Sequence, residues 1–305
     1  MILTFLACFA FAMLALKFVR RTKEPSCHGV RLSEWIAIYD QRDPGFRLEA
    51  KEALSEIGTN ALPYLIKWIG YEPPKWKTFL GRERDPGFHI GTPKRWIPRS
   101  LTDHPGRERA GEAMVAFEVL GPSAAPAIPH LLTLAKSANE EQSKTATISL
   151  GHIGTPAIPA LMQLMSDPSL SSDARFCATR TLNDLAYSAM VWGNLGTNAA
   201  PAVPLLTANL SDKDPFVAGE SASVLGTLKS QPETVVPALM VALESTNSSV
   251  RARAAQALGE FRAKALGALP PLTNALTDTD DDVRKCATNS IRKIALGEYS
   301  KDAKK

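Results

Sequence analysis

The stretch Asn247-Ser248-Ser249-Val250-Arg251-Ala252-Arg253-Ala254-Ala255-Gln256-Ala257-Leu258-Gly259-Glu260-Phe261 returns thirty-three residues later as Asp280-Asp281-Asp282-Val283-Arg284-Lys285-Cys286-Ala287-Thr288-Asn289-Ser290-Ile291-Arg292-Lys293-Ile294. In both, a small residue (Ala254, Ala287) is followed four positions on by a large apolar one (Leu258, Ile291) and three further by another (Phe261, Ile294). These spacings place all three on one face of a helix, and the small residue allows a neighbouring helix to come close. The same triplet runs back along the chain as Ser221-Leu225-Leu228, Ala178-Leu182-Leu185, Ala146-Leu150-Ile153, Ala113-Phe117-Leu120 and Ala50-Leu54-Ile57. Most intervals are 32 or 33 residues; the two longer ones mark insertions, at 73–103 and 186–199.

Each such helix stops at a glycine or a polar break: Gly58, Gly121, Gly154 and Lys229-Ser230. A second helix is then expected to open on Pro63, Pro129, Pro159, Pro204, Pro237 or Pro270, since proline is tolerated where the amide has no intrahelical partner. Behind it runs a stripe such as Leu65 with Ile69, Leu161 with Met165, Leu239 with Leu243 and Leu272 with Leu276. No strand-like alternation competes. The pattern predicts an all-α superhelix of about six helical hairpins plus a terminal half repeat over residues 43–297, followed by a polar tail at 298–305.

Asp43-Pro44-Gly45-Phe46-Arg47, Asn247-Ser248-Ser249-Val250-Arg251 and Asp281-Asp282-Val283-Arg284, each before an alanine-rich helix, resemble HEAT repeats. Within them the chain is most similar to the subclass first described in phycobilisome lyases. The resemblance implies a solenoid that serves as a protein-interaction scaffold or, as an alternative, as a lyase-like or chaperone-like protein delivering a chromophore. The third and fifth repeats depart from the pattern, with Ser143 and Ala218 where the arginine is expected, so any Asp–Arg ladder between repeats is interrupted.

Ahead of the array, residues 20–42 hold a juxtamembrane segment and a helix at 29–39 that would cap the first repeat, with Ser33 as its N-cap. Gly29-x-x-Leu32-Ser33-x-Trp35 followed by repeats is similar to a set of anchored bacterial HEAT proteins. Residues 1–19 are apolar apart from Thr4 and Lys17, and at 1.5 Å per residue span roughly 28 Å, close to a bilayer's hydrocarbon core. They predict a single-pass anchor. Lys17, Arg20, Arg21 and Lys23 behind it favour a cytoplasmic solenoid by the positive-inside rule.

Composition places the rest in the globular class, with 45% hydrophobic and 22% charged residues, and a net charge of only +4 gives no argument for nucleic acid. No fingerprint for a catalytic centre, cofactor or metal is present; His28, His89, His104, His130 and His152 stand singly, and the cysteines lack metal-ligand spacing. Asp278 to Asp282 resembles the start of a calcium loop, but Val283 and Asn289 occupy its glycine and closing-glutamate positions, so a helix N-terminus is expected.

Two surfaces remain as candidates. Three and four positions after each proline stand Ile66 and Lys67, Leu132 and Thr133, Met162 and Gln163, Thr207 and Ala208, Met240 and Val241, Thr273 and Asn274. In this superfamily the second helices usually line the concave side, which would make these residues a trough for a peptide or protein partner. The insertion at 73–103 interleaves Lys75, Lys77, Arg82, Arg84, Lys94, Arg95 and Arg99 with Trp76, Phe79, Phe88 and Trp96. It reads as a contact for anionic lipid or single-stranded nucleic acid, or as a flap folded onto the first repeat. The leading expectation is a non-enzymatic, membrane-tethered scaffold.

Overall fold

The computed structural model describes residues 24–41, 43–72, 105–192 and 201–302. The expected anchor at 1–19 and the basic insertion at 73–103 lie outside the described residues, as do 193–200 of the second insertion.

A short hairpin, β1 (Ser26–Cys27) paired antiparallel to β2 (Val30–Arg31), leads into α1 (Leu32–Asp40). Then come α2 (Pro44–Ile57), α3 (Leu62–Ile69), α4 (Pro105–Leu120), α5 (Ile128–Ala135), α6 (Glu140–Ile153) and α7 (Ile158–Ser166). The array closes with α8 (Ser172–Trp192), α9 (Val203–Asn209), α10 (Pro215–Leu228), α11 (Pro232–Ala242), α12 (Ser248–Glu260), α13 (Leu269–Asn274) and α14 (Asp281–Asp302). The even-numbered helices from α2 on carry the repeated triplet; the odd ones from α3 on are proline-led.

The triplet packs as its spacing requires. All seven small residues, from Ala50 through Ser221 to Ala287, are fully buried. So are Leu54, Phe117, Leu150, Leu182, Leu225 and Leu258 four positions on, whereas Ile291 is half-buried near the open end. On the proline-led helices, Leu65, Leu131, Leu161, Leu206, Leu239 and Leu272 are each 0% exposed, and together these residues make one contiguous core. Leu276 alone of the predicted stripe comes out exposed, because α13 ends at Asn274 and a 3-10 turn carries Leu276 round to solvent.

Packing shifts the phase of the repeat. Each proline-led helix packs along the even helix that follows it, not the one before, and α1 packs on α2 in the same way. The capping helix therefore completes the first unit, and among the described residues fourteen helices pair as seven hairpins with no half left over. The cause lies in the connections. Within a hairpin the turn is closed by an Asp or Asn side chain capping the even helix: Asp43 accepts from Gly45 N, Asn139 from Gln142 N, Asp214 from Phe216 N and Asn247 from Ser249 N. Between hairpins the chain turns through a positive-φ residue, Gly58 (+55°), Gly121 (+50°), Gly154 (+87°), Lys229 (+51°) or Arg262 (+51°), and at most of these a 3-10 stretch follows.

Three local expectations change. Pro237 lies inside α11, which opens on Pro232 because Gln231, at φ +49°, breaks the chain just before it. Ser33 is not the N-cap of α1: Glu34 accepts from the Arg31 amide at 3.0 Å, and the Ser33 hydroxyl donates to Glu24 at 2.6 Å. The turn expected from Ala186 begins as continued helix, since α8 runs unbroken to Trp192.

The even helices contact one another from α2 to α14, while neighbouring odd helices touch at few points. The odd helices are shorter, at 6–11 residues against 13–22. A Cβ on Gly226 would sit 2.8 Å from the Ala257 Cα of the next even helix, too close for any side chain.

Among the described residues, only Glu108–Ala135 is long and apolar enough to be compared with a membrane span, and it is interrupted at Gly121 and by the 3-10 stretch Gly121–Ala127.

Candidate interaction surface

The proline-led positions divide into half-buried and exposed side chains. Ile66, Leu132, Met162 and Met240 are half-buried against the core, as is Thr207, while Lys67, Thr133, Gln163, Val241, Thr273 and Asn274 are exposed. The hydroxyls of Thr133, Thr207 and Thr273 donate to carbonyls one turn back, on Pro129, Val203 and Leu269. Val241 stands out, an aliphatic side chain 68% exposed.

The hairpin turns form a second surface, held by an interrupted ladder of ion pairs. Arg175 of α8 pairs with Asp212 in the next turn, and Arg251 of α12 pairs with Asp278 through Nε and Nη2, both at 2.7 Å. Arg251 also donates Nη1 to the carbonyls of Ser245 and Thr246, six and five residues back, at 2.9 and 3.3 Å. Arg284 does likewise to the carbonyls of Asp278 and Thr279, at 2.7 and 3.1 Å. Where Ser143 replaces the arginine, its hydroxyl bonds the Ala135 carbonyl, and Lys136 reaches Asp167 at 2.9 Å to bridge the turns instead. Where Ala218 replaces it nothing bridges, because the next turn carries Ser245 at the position of Asp212 and Asp278.

At this break lies a cleft of about 700 Å³. Its apolar wall is Leu210, Ala218, Ala238, Val241 and Ala242, with Thr207, Asp212, Lys213, Glu244 and the 245–247 turn around the mouth. Thus Thr207 and Val241, two of the residues expected to bind a partner, line one cavity. Across the turn a recess of about 470 Å³ is lined by Ser172, Arg175, Lys213 and Phe216; the Phe216 ring is 70% exposed and meets Phe176 edge-on at 5.9 Å.

The ladder makes stability depend on acid. Hydrogen bonds from Arg251 hold the Asp278 carboxyl at about 2, and the Ser169 hydroxyl, then Lys136, hold Asp167 at about 2. Both lie below the ordinary 3.8. The stability these pairs contribute is present above about pH 4 and is lost as pH falls from 4 to 2. An acid titration followed by circular dichroism is expected to lose helix in that window, and Asp278→Asn is expected to flatten the loss; an unchanged profile would remove Asp278 from this role.

The even helices are joined by a polar chain. Glu220, nearly buried, accepts from Asn183 at 2.8 Å and from Arg253 at 3.1 Å; Arg253 also donates to Ser223, and Thr227 to Asn183. Further on, Glu260 sits between Lys229 and Lys293, at 3.1 and 2.7 Å. Burial raises the Glu260 carboxyl, but the two lysines outweigh it and bring it below its usual range. These acids hold helices together. At the end of the array Asp280 accepts from the amides of Asp282 and Val283, as a helix N-terminus should.

His28 is not isolated. The β1–β2 hairpin packs on α2 and brings Cys27, His28 and Glu56 together, with one ligand atom from each within 4.8 Å of the others. Cys27 Sγ lies 3.5 Å from His28 Nδ1, and His28 Nε2 lies 4.0 Å from Glu56. Burial, then Glu56, pushes the Cys27 thiol up, which disfavours a thiolate nucleophile. The set offers sulfur, nitrogen and oxygen donors instead. The adjacency of Cys27 and His28 was visible in the sequence; Glu56, 28 residues on, reaches them only through the fold.

Residues 236–304 match the sequence profile of HEAT repeats. No curated protein matches the chain. Among solved structures it is similar to an engineered protein at 20% identity, covering 87% of this chain and 97% of that one with a TM-score of 0.45. It is also similar to a computationally designed armadillo repeat protein for modular peptide recognition, at 16% identity over 86% and 99% of the two chains, TM-score 0.43. A third likeness is to Kap121p bound to Pho4p, at 17% identity and TM-score 0.47, covering 87% of this chain but only 32% of the other.

Proposed function

We propose that this chain is a membrane-tethered, non-enzymatic scaffold that holds a protein or peptide partner along its turn edge. The observation that carries the reading is the cleft at Ala218. It is a recess where the array omits both halves of an ion pair it uses elsewhere, and it presents Val241 to solvent beside Thr207. With Phe216 and Phe176 across the intervening turn, apolar anchors flank a polar strip, as a docked segment with alternating side chains requires. The run at residues 1–19 supplies the tether in this reading, and the polar ladder supplies a rigid base.

The test is site-specific photo-crosslinking in membranes from cells making the full chain. A benzophenone amino acid at Val241 is expected to give discrete adducts, one at exposed Lys51 on α2 none, and Ala218→Arg, which fills the cleft, is expected to erase them. Equal labelling from both positions, or no adduct from either, would reject the reading.

A further inference from the structure

We propose that the cleft at Ala218 receives the guanidinium of an arginine carried by the docked segment, so that the partner completes the ladder where the chain leaves it open. The inference rests on the scaffold reading and names the chemistry of its site. Its basis is repetition. Arg251 and Arg284 each donate to the carbonyls six and five residues behind them. Six and five residues behind Ala218 are Asp212 and Lys213, whose carbonyls stand in a turn of the same kind but lack that guanidinium.

The surroundings suit an arginine better than another cation. Arg251 and Arg284 each meet such a carbonyl pair with one nitrogen, Nη1, and Arg251 turns its other edge, Nε and Nη2, to the next turn; a compact ammonium that reached the carbonyls would have no second edge to span the cleft. Asp212 stays ionised: burial raises its carboxyl, but Arg175 and the Asp214 amide outweigh this and hold it low. Asp212 already answers Arg175, so Glu244 is the further carboxylate at the mouth for an incoming cation. Lys213 opposes them, but its side chain is exposed and can turn to water. Ala238, Val241 and Ala242 form an apolar wall along which an arginine stem can lie. The Ser245 hydroxyl stands where the ladder otherwise places an acid.

The experiment is an NMR titration of the 15N-labelled full chain in detergent micelles with three probes: Nα-acetyl-argininamide, Nα-acetyl-lysinamide and Nα-acetyl-citrullinamide. Saturable shifts of the 212–218 and 244–250 amides are expected with the arginine probe, and at least tenfold weaker binding with the other two. Ala218→Arg is expected to abolish the shifts and to raise the melting temperature, since the chain then fills its own gap. Ser245→Asp leaves the cleft open and restores the ladder acid; it is expected to tighten arginine binding about tenfold. Should Ala218→Arg fail to fold, Ser245→Asp alone decides. Equal affinity for citrulline, or unchanged affinity in Ser245→Asp, overturns the proposal. Discrete Val241 adducts alongside equal affinities would overturn the arginine assignment and leave the scaffold standing. Arginine-selective shifts without adducts would do the reverse.

Discussion

Phe117→Ala is expected to destabilise the chain by about 3–5 kcal/mol, the loss typical of removing a fully buried aromatic ring together with the cavity it leaves. The ring is 0% exposed and occupies the position filled by leucine or isoleucine in the other repeats. It sits on α4, which packs against α1, α2, α3 and α6, and so joins the capped end of the array to the remainder. Among the described residues, Arg109 of α4 reaches Glu24 at 2.7 Å and lies 4.6 Å over the Trp68 ring. Repeat arrays unfold partly by units. The measurement is therefore hydrogen exchange, with lost protection expected first in α1–α4. Uniform retention of protection would show that the ring does not couple the two ends.

Arg251→Ala should cost about 3 kcal/mol, at the lower end for breaking a buried pair, because the Asp278 carboxylate would keep its charge without the two hydrogen bonds it now accepts. Arg251 and Asp278 side chains are only 15% and 13% exposed, and the same arginine holds two backbone carbonyls. At Ala218, where the chain lacks this pair, a cleft lies between the turns. A second cleft is expected between the last two turns, with α12–α14 losing exchange protection before the rest. Arg251→Lys should recover less than half the loss, since a single ammonium cannot serve a carboxylate and two carbonyls in one plane. Full rescue by lysine would show that charge alone, and not the planar fork, holds the turns.

What could be read in advance was local. The buried columns follow from spacings of three and four, and the positive-φ corners from glycine after the last apolar residue. Lys229 ends α10 in the same conformation, at the polar break already visible there, while Arg262 takes it without any such signal. The phase of the hairpins was not legible, because whether a helix packs forward or backward depends on turn geometry that periodicity does not encode. The same holds for Cys27, His28 and Glu56, whose meeting is a product of β1 lying on α2. The candidate site was legible in part. The missing arginine at 218 could be counted along the sequence, yet its meaning required knowing that Ser245 faces it one repeat on. Pro237 misled because Pro232, five residues earlier, had already taken the first turn.

The unequal packing of the two helix rows has a mechanical consequence. Bending that opens the odd-helix side must part only scattered contacts, whereas bending that opens the even-helix side must separate helices packed along their length, with the Glu220 and Glu260 networks between them. The array is thus a spring that yields readily in one direction and is stiff in the other. Because the Ala218 cleft lies on the turn edge between the rows, its mouth widens or narrows with that flexure. A pull on either end of the array would reshape the cleft before any hairpin unfolds.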